Sequence, residues 1–218
     1  MSKQIMSRWP FLIGTLFVVA ALSLYLFNTY ENQKAKEQVE NVLLLIHEDI
    51  PNLEMKQENS TVIEKPLAIP NGVEINQFIP DYILNPAMEM PTVEVEGNNY
   101  IGTLYFPSLQ AELPVMSNWS YSNLKVSPCL YTGSIYTGNA VIAAHNYTCH
   151  FGHLFNLSPS DVVHFTDADG NAFSYVVVVI EVLEPTAIEY MTDGRYELSL
   201  FTCTLGGASR FTVRCQLL

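Results

Sequence analysis

The longest hydrophobic pattern in the chain is an uninterrupted apolar run near its beginning. Residues Phe11 to Phe27 carry no formal charge, and Trp9, Tyr25 and Tyr30 flank or close the run. A helix of about 20 apolar residues crosses the hydrocarbon core of a bilayer, and aromatic residues favour its interfaces. The pattern predicts a transmembrane helix over residues 9–30.

Two cations precede this helix and set its expected orientation. Lys3 and Arg8 lie in residues 1–8, which the positive-inside rule keeps in the cytoplasm. The remainder of the chain is then outside the cell. The alternative is a cleaved secretory signal, but Ala20-Ala21 followed by Leu22 is a poor cleavage site, so we expect an uncleaved anchor in contact with membrane lipid.

Polar and apolar residues then alternate with a helical period as far as Ile50. Pro51 ends this pattern, and six prolines among polar residues between 51 and 91 indicate a spacer with little regular structure. Residues 31–95 are therefore predicted to be a helical stalk and spacer that hold a domain away from the bilayer.

Residues 96–218 carry short β-branched and aromatic runs separated by Gly, Pro, Asn and Asp. Gly102–Phe106 is one such run, and Val162–Phe165 and Phe173–Val176 flank a turn at 167–171. Several strands without long helices predict an all-β barrel or sandwich.

Composition excludes some classes of function. The net charge is −12, and the ten Lys and Arg residues are scattered, so no nucleic-acid surface is expected. The four cysteines, at 129, 149, 203 and 215, form no C-x-x-C pair, which argues against a zinc site of that kind. Disulfides remain possible in an oxidising exterior.

The last two strands carry the sharpest chemical signal. Gly206-Gly207 is a favoured pair for a two-residue hairpin turn. Pairing about that turn makes Cys203 face Arg210, with Cβ atoms about 5 Å apart. Leu198, which faces Cys215 in this register, then lies on the apolar face.

Alternation along this hairpin separates two faces. One face is nearly all apolar, and the other is predicted to be the polar face, with Arg214 further from Cys203 than Arg210 is. A cation beside a cysteine favours the nucleophilic thiolate. The register also argues against a Cys203–Cys215 disulfide, because the two side chains point to opposite faces.

A histidine is needed to move protons in such a site. His145 follows the apolar strand Ala140–Ala144 and opens a loop, whereas His47 and His164 lie in regular structure. The cluster His145, Cys149, His150 and His153 admits a zinc site, but no acid or cysteine pair is spaced to complete it. The acidic residues after Ile180 lack calcium-loop spacing, so we expect no metal and no cofactor.

These motifs resemble the sortase family over roughly Ile101 to Leu217. Ser199–Cys203 is similar to the family's T-L-x-T-C strand, with Ser in place of Thr, and Arg210 falls at the family's essential arginine. Val141–Asn146 resembles the strand that ends in the catalytic histidine. Weaker matches in the right order are Ile101–Leu104 through Leu113–Val115, Phe151–Phe155 and Val182–Thr186.

The resemblance implies an eight-stranded β-barrel with short helices on the outer surface of a bacterium, usually Gram-positive. Its implied reaction joins a surface protein bearing an LPxTG-like C-terminal sorting signal to an amine of a cell-wall precursor or of another surface protein. Cys203 would form a thioester, His145 would transfer protons and Arg210 would stabilise charge. The implied substrate-binding residues are Thr202, Pro185, Ile188 and Tyr190.

Alternatives remain at the level of class and chemistry. The chain ends at Leu218 and its spacer lacks an Asp-Pro-aromatic lid, so a class D-like or class B-like enzyme is expected rather than a pilin polymerase. A secreted cysteine hydrolase, in which water resolves the thioester, is one alternative. A surface interaction module with an inert Cys203 is another.

Overall fold

The structure is a computed structural model that describes residues 9–49 and 79–218. One continuous helix, α1, runs from Trp9 to Asp49 and ends two residues before Pro51. Among the described residues it is the one helix long and apolar enough to cross a membrane. The predicted helical stretch is confirmed, and most of the proline-containing spacer lies outside the described residues.

The rest of the described chain is built mainly of strands. In chain order these elements are α2 (Asp81–Leu84), β1 (Val93–Val95), β2 (Asn98–Phe106), β3 (Ala111–Met116), β4 (Cys129–Thr132), β5 (Ala140–Ala143), β6 (Val162–Asp167), β7 (Ala172–Leu183), α3 (Ile188–Met191), β8 (Leu198–Cys203) and β9 (Arg210–Leu217). Short 3₁₀ helices lie at Pro107–Leu109, Asn123–Lys125 and Phe151–Asn156.

The strands close into a barrel. Their order is β1-β2-β3-β4-β5-β8-β9-β7-β6, and β6 pairs back onto β2. Eight strands, β2 to β9, therefore form the closed ring, and β1 adds to the edge of β2. The predicted fold class, an eight-stranded all-β barrel with short helices, is confirmed.

A glycine allows β2 to change partners on one edge. Tyr100 pairs with β1, and Gly102 begins the pairing with β6. Gly102 has φ +148°, and a Cβ there would lie 2.0 Å from the carbonyl oxygen of Thr166. A larger residue would push β6 away and open the barrel at this seam.

The second half of α1 packs against the barrel. Ala35, Val39, Val42 and Ile46 are buried at the spacing of one helical face. Val39 joins the main barrel core, while Val42 and Ile46 contact a second cluster that contains Tyr100. The predicted stalk is thus part of the folded domain along its barrel-facing side.

Candidate active site

The β8–β9 hairpin has the register predicted from the sequence. Cys203 pairs with Arg210, and Leu198 pairs with Cys215. The connection differs from the prediction, because it is a four-residue loop at 205–208 rather than a two-residue turn. Thr204 still bonds to Ser209 through their backbones at 3.0 Å. Both loops are centred on the bond between Gly206 and Gly207, so the pairing is unchanged.

A third strand brings His145 to the same level as the Cys203–Arg210 pair. β5 lies parallel to β8, with Ala143 opposite Phe201. The amide of Ala144 also donates to the Phe201 carbonyl at 3.2 Å. Two residues further along each chain are His145 and Cys203. His145, two residues beyond the end of β5, therefore lies level with the Cys203–Arg210 pair of β8 and β9, and all three residues are partly exposed.

The histidine is held by its loop and its neighbours. The His145 carbonyl accepts a hydrogen bond from the Phe151 amide at 3.1 Å. The imidazole ring stacks on Tyr147, with ring centroids 4.9 Å apart. Burial, and secondarily the positive charge of Lys125, lower the pKa of His145. The ring is therefore mainly neutral near pH 7 and is able to accept a proton.

The Arg210 guanidinium turns toward the hairpin loop. Its Nη1 donates to the carbonyls of Gly207 and Ser209, both at 3.2 Å. Within the described chain, no hydrogen bond joins the Cys203 thiol to His145 or Arg210. The cation is thus placed next to the thiol by strand pairing and retains free N–H donors toward its exposed side.

The other three thiols are poor candidates for a nucleophile. Burial raises the pKa of Cys129 and of Cys215 to about 12, and that of Cys149 to about 11. All four cysteines are free. Because the thiolate is the nucleophilic form, these environments leave Cys203 as the candidate.

Two surface depressions are lined by residues that neighbour Cys203 or His145 in the chain or in the strand pairing. On the Arg210 side a small cavity of about 50 Å³ is lined by Tyr131, Glu184, Pro185, Ala187, Ile188, Met191, Phe201 and Arg210. On the His145 side a wider recess of about 510 Å³ is lined by Asn146, Gly152, Phe155, Thr204 and Leu205.

The four residues suggested for substrate binding are not all together. Pro185 and Ile188 line the cavity beside Arg210. Thr202 points into the barrel and is buried, and its hydroxyl has no partner among the described residues. Tyr190 lies outside that cavity, and its hydroxyl donates to Glu181 at 3.3 Å.

The alternation pattern predicted that the face carrying Cys203 is polar and solvated. Its far end, at Arg214, is buried instead. Arg214 is only 1% exposed. Its guanidinium contacts Glu181 at 2.9 Å and donates to the carbonyls of Met191 and Tyr190 at 2.9 and 3.1 Å. The segment between β7 and β8 covers this end of the face, which strand alternation alone does not reveal.

Two aromatic residues of the cavity were not found from the sequence. Tyr131 and Phe201 form part of its wall, and their ring centroids are 5.5 Å apart. Phe201 was detectable, because it alternates with Cys203 on one strand face. Tyr131 reaches the site only because β4 pairs with β5.

Within the described chain, no three His, Cys, Asp or Glu side chains group as metal ligands.

Comparison with known proteins identifies the family. The family model for the sortase domain matches residues 104–218, which is more than half of the chain. The protein belongs to the sortase family. Sortase A of Bacillus anthracis is 26% identical over 121 residues, which cover 53% of this chain and 57% of that protein. The chain therefore spans a little over half the length of this relative.

Solved sortase structures are also similar. Sortase C1 from Streptococcus suis has a TM-score of 0.48 at 23% identity, covering 55% of this chain and 73% of that chain. A sortase D5 transpeptidase from Clostridium perfringens has a TM-score of 0.49 at 19% identity, covering 57% and 82%. A lid mutant of sortase A from Corynebacterium diphtheriae has a TM-score of 0.48 at 20% identity, covering 62% and 75%.

Proposed function

We propose that this protein is a membrane-anchored cysteine transpeptidase that cleaves an LPxTG-like sorting signal and transfers the acyl group to an amine. The observation that carries the proposal is that Cys203 pairs with Arg210, and that His145 follows the end of β5, which lies parallel to the strand of Cys203. A nucleophile, a proton carrier and a cation are the groups that acyl transfer through a thioester requires.

The first half of the reaction forms the thioester. His145 takes the proton of the Cys203 thiol, and the sulfur attacks the carbonyl carbon before the scissile bond. Arg210 donates N–H groups to the oxygen that becomes negative, which lowers the barrier. His145 then gives its proton to the leaving amine as the C–N bond breaks, leaving the acyl group on sulfur.

The second half regenerates the thiol. An incoming amine attacks the thioester carbonyl and gives a proton to His145, which is neutral because its pKa is lowered by burial. A new amide bond forms, the C–S bond breaks, and the proton returns to the sulfur. The amine belongs to a cell-wall precursor or to another surface protein.

Topology follows from the charge argument and the helix. Residues 1–8 are a cytoplasmic tail, residues 9–30 cross the cell membrane once, and residues 96–218 form the catalytic domain outside the cell. Residues 31–95 connect the two. The partners are surface proteins with a C-terminal sorting signal, the amine, and membrane lipid through the helix.

Mass spectrometry of the full-length protein in detergent tests the chemistry. With a peptide containing an LPxTG-like motif, we expect an acyl adduct on Cys203, and Cys203→Ala should form neither adduct nor amide product while retaining its fold. Cys149→Ser is the matched control and should form both. Full activity in Cys203→Ala would overturn the proposal.

An assay without the amine distinguishes transfer of the acyl group to an amine from hydrolysis of the thioester. A transpeptidase should give the amide product when an amine is supplied and should accumulate the acyl adduct without it. If free acid forms at the same rate with and without amine, the hydrolase alternative is correct. An unmodified Cys203 under all conditions would favour the interaction module.

A further inference from the structure

The loop that follows His145 is tied to α1. The Asn32 side chain carbonyl accepts hydrogen bonds from the Thr148 amide at 3.1 Å and from the Thr148 hydroxyl at 3.0 Å. The Cys149 thiol also lies 3.6 Å from the Asn32 backbone carbonyl. These contacts link the candidate catalytic loop to one turn of the long helix.

A second loop contacts the same part of α1. Tyr121 and Lys125 line a recess of about 440 Å³ together with Lys34 and Gln38 of the helix. Tyr121 is 79% exposed and Trp119 is 41% exposed. Tyr121 thus lies at the surface beside residues 31–38 of α1, and the Trp119 ring packs against it.

The position of Asn32 along α1 sets the distance between the loop that carries Thr148 and the apolar run. Asn32 follows Phe27 by five residues, which at the rise of an α-helix is about 7.5 Å along the axis. The headgroup region adds roughly 5–7 Å on each side of the hydrocarbon core. Asn32 and the loop that carries Thr148 therefore lie at the outer edge of the lipid headgroups. Lys34, two residues later in the helix, lies about 3 Å further out.

An aromatic row connects this level to the candidate active site. Tyr121 contacts Trp119 at 5.8 Å between ring centroids, Trp119 contacts Tyr131 at 5.2 Å, and Tyr131 contacts Phe201 at 5.5 Å. Tyr131 and Phe201 line the cavity beside Arg210. Trp and Tyr are the residues that favour the membrane–water interface, since each has an apolar ring with a polar group.

The lysines are concentrated at the same level. Beyond the apolar run, the described part of the chain contains the three lysines Lys34, Lys36 and Lys125, and all lie in or next to these contacts. The whole chain has a net charge of −12. Glu31, Glu37 and Glu40 lie on the same stretch of α1, and Lys36 pairs with Glu40 at 3.6 Å, so the three lysines leave this level close to neutral. A neutral level of a strongly acidic protein approaches the phosphates of lipid headgroups with less repulsion than the rest of the domain does.

We propose that Trp119, Tyr121, Lys34 and Lys125 form a membrane-docking face that rests on the outer edge of the headgroup layer of the outer leaflet. This inference rests on the anchor described under the proposed function. The face then keeps the cavity lined by Tyr131, Phe201 and Arg210, to which the aromatic row leads, close to the membrane surface. Substrates presented at the membrane surface then reach Cys203 without leaving that surface.

Tryptophan fluorescence tests this position, because the chain contains two tryptophans, Trp9 and Trp119. The full-length Trp9→Phe variant in phosphatidylcholine–phosphatidylglycerol vesicles reports Trp119 alone. A nitroxide on the lipid headgroup should reduce its emission strongly, and Tyr121→Glu in the same background should weaken that quenching.

Two further variants complete the design. In Trp119→Phe, the remaining Trp9 reports insertion of the anchor. In a double variant lacking both tryptophans, Leu44→Trp places a reporter at a 71% exposed position about 25 Å beyond Phe27. That reporter should not be quenched.

The outcomes separate the docking face from the anchor. Quenching of Trp119 without quenching of Leu44→Trp supports the docking face. If Trp9 is quenched and Trp119 is quenched no more than Leu44→Trp, the anchor stands and the docking face is wrong. If Trp9 is not quenched and the protein does not float with vesicles, the anchor fails and the docking face fails with it.

Discussion

Two arginines on β9 illustrate how the surroundings of a residue decide its role. Arg210 is partly exposed at the start of the strand and, among the residues that the structure describes, donates only to carbonyls of the adjoining loop. Arg214 is buried and satisfied by a carboxylate, two carbonyls and the Ser199 hydroxyl. We therefore propose a role in the reaction for Arg210 and a role in holding the covering segment for Arg214.

Replacing Arg210 by lysine should reduce turnover much more than stability. Lysine keeps the charge but loses the planar fork of N–H donors, so we expect kcat/KM to fall about a hundredfold. The free energy of unfolding should change by less than about 1 kcal/mol, because the side chain is at the surface. Steady-state assays and urea denaturation measure the two effects, and an unchanged kcat/KM would exclude a role in charge stabilisation.

Replacing Arg214 by glutamine should have the opposite profile. Glu181 loses its ion-pair partner, and two carbonyls of the segment between β7 and β8 lose donors. We expect a loss of about 3 kcal/mol in the free energy of unfolding, typical of a broken buried pair. Equal stability of the wild type and Arg214→Gln in urea would contradict this assignment.

At the scale of elements, the β8–β9 hairpin sets the distance between Cys203 and Arg210. Gly206 and Gly207 have φ of +82° and +74°, and a Cβ on either would meet no atom within 4 Å. Gly206→Ala should therefore cost only about 1 kcal/mol through backbone strain and should keep the register.

Inserting one alanine between the two glycines should be far more damaging. An odd insertion changes the loop class and favours a bulge or a one-residue slip, which turns Arg210 to the other face. We expect activity to fall by about a hundredfold or more, while Gly206→Ala stays active. Peptide transfer assays on both variants measure this, and equal activities would show that the register is not required.

The loop between β5 and β6 carries a buried histidine that makes stability depend on pH. His150 lies 3.2 Å from the Val126 carbonyl through Nε2, and burial is the main cause that lowers its pKa to about 4. The unfolded chain binds this proton below about pH 6.5, whereas the folded chain does so only near pH 4. Folding stability should thus decrease as the pH falls through this window.

The expected size of the His150 contribution is at most about 3 kcal/mol. Urea denaturation of the wild type and of His150→Gln at a series of pH values measures it. The variant should lose less stability than the wild type between pH 6.5 and pH 4. Its stability should still decrease somewhat over this range, because burial also lowers the pKa of His145 and His164. Parallel stability curves would show that His150 does not titrate in this way.

At the scale of the whole molecule, α1 joins the membrane to the barrel as one helix. Its exposed half is apolar, and its other half packs on the barrel through Val39 and Ile46. His47, near its end, donates to Glu112 of β3 at 3.0 Å. The barrel is therefore held against the helix at both ends of the packed half, at Asn32 and at His47.

The orientation of the helix predicts a protease result on intact cells. Because the cations precede the span, external protease should degrade the barrel and spare an epitope fused before Met1. Immunoblots with antibodies against the epitope and against the barrel measure this. Protection of both until the cells are lysed would mean that the domain lies inside the cell.

The spacing of residues along the sequence was enough to predict the long helix, the strands and one strand pairing of this protein. The apolar run and its extension predicted α1, and alternation with turn residues predicted the strands. The pairing of Cys203 with Arg210 was also predictable, because a hairpin's register depends on the position of its centre rather than on distant contacts. Even the wrong loop length left that pairing intact, since the centre was the same.

Tertiary structure decided what local spacing does not encode. His145 was chosen as a strand-end histidine, but its place beside Cys203 depends on β5 lying parallel to β8, a pairing between distant segments. The burial of Arg214 depends on the segment that covers its face, and Tyr131 reaches the cavity only because β4 pairs with β5, which in turn lies against β8. The packing of α1 on the barrel likewise depends on long-range contacts, because one apolar helix stripe fits many partners.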